Sequence, residues 1–467
     1  MKICQWRLYS NLLILLGLSA CQKIEPEVYR PTPLPQDPLV QVYFNHSLTT
    51  EYTEPYRQLT RSGDDLEQLI VAAITSAQST VDVAVQELRL PKIAQALVER
   101  YQAGVKVRVI LESNYSRPWS DLSVTDVAKL KPRERQRYRE ALKLIDSNGN
   151  TQLSQDEINQ ADALVILRNA KVPIIDDTAD GSKGSGLMHH KFLVIDGRLS
   201  IVTSANFTTS GIHGDFRTAE SRGNANNLLK IDSSDLANLL LEEFNLMWGD
   251  GPGGKPDSKF GINKPWRQVQ QVQLGNTGIS VHFSPTSATQ PWNQSSNGFI
   301  GKTLTRATKN IDLALFVFSE QRLANILETS HQQGIEIRAL IDSSFAYRNY
   351  SEALDLMGVA LSKECEYEQG NHPWQNPITT IGVPQLPKGD LLHHKFAIID
   401  GQTVITGSQN WSWAANTNND ETVLIINNPT VAAHFQREFE SLYAKAVLGI
   451  PMALGQKIKA QQQKCPL

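Results

Sequence analysis

The sequence predicts an α/β protein of two fused halves, each a mostly parallel sheet flanked by helices. Three observations predict it. The chain has 467 residues, too many for one ordinary core. Residues 77–112, "AQSTVDVAVQELRLPKIAQALVERYQAGVKVRVILE", align without a gap on 307–342, "ATKNIDLALFVFSEQRLANILETSHQQGIEIRALID". Self-similarity of that kind is the mark of a duplicated unit. Within each copy a β-rich run, an amphipathic helical stretch, a glycine and a second β-rich run follow in order, as in sheets covered by helices.

At the N-terminus, Lys2 and Arg7 precede the apolar run "LLILLGL", too short to span a bilayer and built like a secretory signal. It ends in "LSAC", which resembles a bacterial lipobox. Residues 1–21 are therefore expected to be a lipoprotein signal peptide, with Cys21 acylated and the protein exported and held at a membrane by its lipid anchor. Residues 22–40 are proline-rich and read as an extended tether. Cys4 leaves with the signal, and Cys365 and Cys465 remain. An oxidising compartment would let these two pair, and two separate thiols fit the sequence equally well.

The first half is expected over 41–248, opening on "VYFNHS" (42–47), and the second over 279–447, opening on "VHFSPT" (281–286). Each then reads β, α, β, α, β, an insertion-tolerant region, a β-turn-β and a helix. Residues 249–278, rich in Gly and Pro, form the linker, and 448–467 form a C-terminal tail. Hydrophobic content of 40%, charged content of 20% and a formal net charge of −3 are globular values. They exclude a global electrostatic pull toward polyanions without excluding a local basic groove.

The β-turn-β carries the chemistry. "LMHHKFLVIDG" (187–197) and "LLHHKFAIIDG" (391–401) each open on two histidines and a lysine and run apolar into an Asp-Gly turn. The return strands are "LSIVTSAN" (199–206) and "TVITGSQN" (403–410). Side chains alternate along a strand. With Gly401 and Gln402 as turn residues, Asn410 falls opposite His393 and Ser408 opposite Lys395. Each half then presents one imidazole, one ammonium, one hydroxyl and one amide on one patch: His189, Lys191, Ser204 and Asn206, and His393, Lys395, Ser408 and Asn410. His190 and His394 point the other way, as structural residues do. Polar residues at one strand end are commonly structural, but two copies at identical spacing point to chemistry. A phosphate suits two such patches, because lysines and amides bind its oxygens, one histidine can attack phosphorus and the other can protonate the leaving oxygen.

The pattern H-x-K-x4-D-x6-G-S-x-N resembles that of the phospholipase D superfamily, whose members build one active site from two such motifs. The second copy, with His393, Lys395, Asp400, Gly407, Ser408 and Asn410, matches fully. The first, with His189, Lys191, Asp196, Ser204 and Asn206, has Thr203 in place of the usual Gly. The resemblance implies a covalent phosphohistidine, no cofactor for catalysis, an Asp in each motif that supports structure, and a substrate-binding Glu downstream. Glu421 fills that last position in the second copy and Asn226 stands there in the first. On the same pattern His189 faces Glu421 and His393 faces Asn226. Both motifs lie in one chain, so a monomer suffices.

The region before His189 is longer than its counterpart and holds an expected insert over 113–160. Its "DSNGNTQLSQDE" (146–157) resembles an EF-hand loop, with Asp146, Asn148, Asn150, the Gln152 carbonyl and Glu157 as Ca2+ ligands and Thr151 where Gly is usual. Lys129, Lys131, Arg133, Arg135, Arg137, Arg139 and Lys143 precede it. They form a solvated face or a basic rim for phospholipid head groups or a nucleic-acid backbone. The function expected is hydrolysis of phospholipids or related phosphodiesters. The alternatives are a metal-independent endonuclease of the same superfamily and an inactive phosphate-binding or calcium-sensing lipoprotein. Two intact histidine–lysine pairs speak against the last.

Overall fold

The computed structural model describes residues 30–182 and 186–465. Cys21, the signal segment and residues 22–29 lie outside the described residues. Residues 30–39, the described part of the tether, form no helix or strand and touch both halves, with Arg30 on Thr50 and Gln36 on Val42 of the first. Arg437 donates to the Thr32 carbonyl (2.7 Å), and Asn428 donates to Asp37 (2.8 Å).

The first sheet has seven strands, in the spatial order Val40–Phe44, Asn227–Asp232, Leu199–Thr203, Lys191–Ile195, Thr80–Val85, Lys106–Leu111 and Ile174–Asp176. The second has nine: Gln270–Leu274, Thr277–Ser284, Glu421–Asn427, Thr403–Gly407, Lys395–Ile399, Asn310–Leu315, Glu336–Ile341, Ile381–Val383 and Val447–Leu448. The repeat survives intact, since Thr80–Val85, helix Pro91–Gln102 and Lys106–Leu111 recur as Asn310–Leu315, helix Gln321–Gln332 and Glu336–Ile341.

The sheets are mixed, which corrects the expectation of mostly parallel pairing. A helical crossover makes Thr80–Val85 and Lys106–Leu111 parallel, as it does Asn310–Leu315 and Glu336–Ile341. The tight hairpins beside them can only be antiparallel, and so are their outer neighbours.

The hairpin register also differs from the expected one. The turn residues are Asp196–Gly197 and Asp400–Gly401, all with φ between 51° and 64°, the left-handed pair that Asp-Gly favours. Ile195 then pairs with Leu199 and Ile399 with Thr403, leaving Arg198 and Gln402 between turn and ladder. Each return strand is displaced by one residue from the expected pairing. Gly407 sits at φ 132° with no room for a Cβ beside the Thr422 carbonyl. Thr203 lacks that backbone and donates to the Asn227 carbonyl (2.6 Å).

Each hairpin sheet is backed by a long helix with an amphipathic face. Ser233 caps Ser234–Trp248, and Asn428 with Pro429 opens Pro429–Tyr443. Leu240 and Phe244 of one, Phe435 and Phe439 of the other, and Phe192 and Phe396 beneath them belong to a single cluster shared by both halves. Two further clusters fill the outer faces.

The expected linker is not free chain. Gln270–Leu274 is the edge strand of the second sheet, and buried Lys264 pairs with Glu243 and Asp420. The tail forms helix Met452–Lys464, fastened by a Cys365–Cys465 disulfide with Cα atoms 5.3 Å apart. Among the described residues no helix is long and apolar enough to cross a membrane.

Candidate active site

The two halves exchange backbone hydrogen bonds where the histidines begin. His189 N donates to the Asp420 carbonyl (2.9 Å) and Asp420 N to that of Leu187 (2.8 Å). Symmetrically, His393 N donates to the Ala225 carbonyl (3.0 Å) and Ala225 N to that of Leu391 (2.8 Å). Each histidine is therefore held against the residue that leads the last core strand of the opposite half. Glu421 Oε2 lies 2.6 Å from His189 Nδ1, and Asn226 Oδ1 lies 3.0 Å from His393 Nδ1. His190 and His394 turn into the core, where their Nε2 atoms meet Glu243 (3.1 Å) and Glu438 (3.2 Å).

The lysines are buried, and each donates to the carbonyl of the histidine two residues before it, at 2.8 Å for Lys191 and 2.6 Å for Lys395. Their remaining surroundings differ. Lys191 Nζ reaches Gln86 Oε1 at 3.3 Å, whereas Lys395 Nζ lies 5.0 Å above the Phe316 ring. Gln86 and Phe316 occupy the same position of the repeat. Neither was singled out from sequence, although each directly follows an aligned strand, Thr80–Val85 or Asn310–Leu315.

Burial dominates the electrostatics. It lowers both His189 and His393 well below the usual imidazole range, and the neighbouring ammonium groups push the same way. Burial likewise brings Lys191 down to about 7 and raises Glu421 to about 7. A phosphodiester anion between the two lysines acts in the opposite direction on every cation.

His189, His393, Asn206 and Asn410 line one cleft of about 910 Å³. The Oδ1 atoms of Asn206 and Asn410 are buried without a partner, so each amide keeps an acceptor for a donor in the cleft, and its Nδ2 is the group that can donate to an anion. Other expected substrate-binding residues lie behind this wall. Ser204 Oγ donates to Asn226 Oδ1 (2.7 Å), and Ser408 Oγ accepts from Thr422 N (3.0 Å) and holds Glu421. The serines thus fix the two groups that orient the histidines, and Glu421 itself touches His189 rather than the cleft.

Asp196 and Asp400 also stand away from the chemistry, at the far ends of the Lys191–Ile195 and Lys395–Ile399 strands. Asp196 accepts from the backbone N–H groups of Gln78, Ser79 and Thr80, and Asp400 from those of Thr308, Lys309 and Asn310. Partial burial pushes both carboxyls up, but these donors together hold them below the usual range. They tie each turn to the neighbouring loop.

The insert is part of the cleft. Its basic helix, Pro132–Ile145, contributes Arg133, Arg137, Leu144 and Ile145 to the same wall. In the loop that follows, Thr151 takes φ 67° at the position where Gly is usual. Asp146 accepts from Asn150 N and Thr151 N, and Glu157 from Asn148 and Ser154. The Ser154 bonds hold Glu157 down to about 2. Among the described residues no cluster of three or more His, Cys, Asp or Glu side chains is gathered for a metal. Of the expected ligands only Asp146 and Glu157 carry charge, so the donor set fits no more than a weak calcium site.

Comparison with known proteins agrees with this geometry. The family model described as "Cardiolipin synthase, PLD-like domain" matches residues 70–248 and 300–443, well over half of the chain. The chain belongs to this phospholipase D-like family. The mitochondrial cardiolipin hydrolase of Xenopus laevis is 27% identical over 183 residues, 38% of this chain and 78% of that protein. The human protein of the same name is 29% identical over 153 residues, covering 33% and 53%. Phosphatidylserine synthase of Haemophilus influenzae shares the fold at a TM-score of 0.51 and 12% identity, over 85% of this chain and 91% of that one.

Proposed function

We propose that this chain is a phospholipase D-type phosphodiesterase that hydrolyses phospholipids through a covalent phosphohistidine. The observation that carries the proposal is the unequal pairing of two histidines at one cleft, with a carboxylate behind His189 and an amide behind His393. A carboxylate accepting the Nδ1 proton leaves Nε2 of His189 as the reacting nitrogen and raises its basicity. An amide leaves His393 less basic and better suited to give a proton.

In the first step His189 Nε2 forms a bond to phosphorus while the bond to the leaving alkoxide breaks, and that oxygen takes the proton of His393. In the second, His393 accepts a proton from water, the water oxygen bonds to phosphorus, and the P–N bond to His189 breaks. Lys191, Lys395, Asn206 and Asn410 hold the non-bridging oxygens as charge builds. Apolar residues of the cleft, among them Leu144, Ile145, Leu391 and Phe345, favour a lipid over a nucleic acid. So does the substrate in the names of the relatives.

We also infer export and lipid anchoring at Cys21, supported by "LSAC" and by a disulfide that belongs in an oxidising compartment. Calcium at Asp146–Glu157 would act on the stability of the insert and not on the chemistry. The test is to give the chain without residues 1–21 vesicles of phosphatidylcholine or cardiolipin, and single-stranded DNA, in EDTA and in calcium. Phosphatidic acid release in EDTA supports the proposal. Cleavage of DNA alone overturns the lipid assignment, and turnover that is lost in EDTA and regained with calcium overturns the metal-free mechanism.

A further inference from the structure

The insert's basic helix touches the first half through one buried acid that the mechanism leaves unused. Glu87 follows Gln86, the residue that holds Lys191, and lines the cleft with His189. It is 1% exposed, and each of its oxygens has its own guanidinium: Oε1 receives Arg89 Nε (3.3 Å), and Oε2 receives Arg137. Arg89 belongs to the first half outside the insert and is anchored on the insert's opening turns. It donates to the carbonyls of Arg117 and Tyr115 (2.9 Å each) and stacks on Trp119. Arg137 comes from the insert, lies over the Tyr115 ring at 4.9 Å and keeps 32% of its side chain exposed. In the second copy the position of Glu87 is Val317, so only one half carries this acid.

An anionic diester needs the wall beside Lys191 to be positive. Glu87 with Arg89 alone is neutral and leaves Oε2 without its guanidinium partner. Glu87 with both arginines carries one positive charge and exposes no carboxylate oxygen. We propose that Arg137 is a positioning residue by which the insert completes the active site: it covers the Glu87 carboxylate and keeps the wall beside Lys191 positive for the substrate phosphate. The inference rests on the phosphodiesterase reading and gives the insert a role independent of calcium. A through-space attraction between Glu87 and Lys191 agrees with their closeness.

The test is a double-mutant cycle in the chain without residues 1–21, with Arg137→Gln, Glu87→Gln and both together, and Arg137→Lys as the conservative variant. KM and kcat are measured on bis(p-nitrophenyl) phosphate and on cardiolipin vesicles, with a thermal melt of each protein. Arg137→Gln is expected to raise KM about tenfold, the order of effect of one uncompensated charge in a partly buried site, with a smaller change in kcat. Arg137→Lys should keep most of the wild-type KM. The double variant returns the wall to one positive charge through Arg89 and is expected to recover KM to within about threefold, the scatter allowed by imperfect additivity. A double variant as impaired as Arg137→Gln overturns the proposal, because Arg137 would then bind substrate itself. A double variant that is unfolded also overturns it, since the pair would only hold the fold. Failure of the wild type to cleave either diester would instead overturn the phosphodiesterase reading.

Discussion

Replacing Glu421 by Gln removes one negative charge and keeps the shape, which makes it the sharpest test of which histidine attacks. The carboxylate is fully buried and 2.6 Å from His189 Nδ1. Attack on phosphorus turns His189 into a substituted imidazolium. A carboxylate this close to the forming charge contributes about 3 kcal/mol at an effective dielectric near 20. Exchanging a charge-assisted hydrogen bond for a neutral one sets a lower limit of about 1 kcal/mol. Converted at 1.36 kcal/mol per decade, the rate of phosphoryl-enzyme formation should fall roughly 5- to 150-fold. Rapid acid quench with a substrate of good leaving group, followed by intact mass and peptide mapping, reads that rate and the residue modified. His393→Ala should still accumulate an adduct on His189, and His189→Ala should form none. An adduct on His393 in the intact enzyme, or adduct formation at the wild-type rate in Glu421→Gln, refutes the assignment.

Three further outcomes follow from the same geometry. In the free enzyme kcat/KM should be bell-shaped and centred near pH 7. Glu421, raised to about 7, loses its charge as pH falls through that value, and Lys191, lowered to about 7, loses its charge as pH rises through it; a flat profile from pH 5 to 9 would contradict this. Asp400→Asn should cost about 1–3 kcal/mol of stability in denaturant unfolding, as expected for lost hydrogen bonds to a charged acceptor, with kcat per folded molecule retained. A loss of kcat without loss of stability would instead place Asp400 in the chemistry. Phe316→Leu removes the ring shared by Lys395 and His393, which lies 4.8 Å edge-on from the imidazole. It should lower kcat about 3- to 10-fold, the range expected for a cation–π contact of about 1 kcal/mol. Stopped assays on a small diester would detect it.

The duplicated strand–helix–strand was legible in the sequence because its periodicity changes in the same order twice without a gap. The opposed histidines were legible because H-x-K fixes a face whatever the register. The facing of His189 to Glu421 and of His393 to Asn226 followed from family resemblance, and local pattern alone does not contain it. The register was misread because Asp196 and Asp400 take left-handed backbone at the turn itself, leaving Arg198 and Gln402 as an extra residue each. Ser204 and Ser408 were placed on the cleft by strand alternation, yet both lie beyond the last ladder residue, where alternation no longer governs direction. The link between Glu87 and Arg137 spans 50 positions and an insert, and no local pattern marks it.

The crossed backbone bonds at the two histidines have a consequence for synthesis. His189 has emerged and its sheet can form long before Glu421 exists as polymer, and Asn226 waits for His393 in the same way. A half-made chain therefore carries imidazoles without partners and a cleft with one wall. His189 Nδ1 acquires its partner only when the last core strand of the second half arrives, whereas His393 emerges after Asn226 is already in place. A chain that ends before the second half lacks both the carboxylate that meets His189 Nδ1 and the second wall of the cleft.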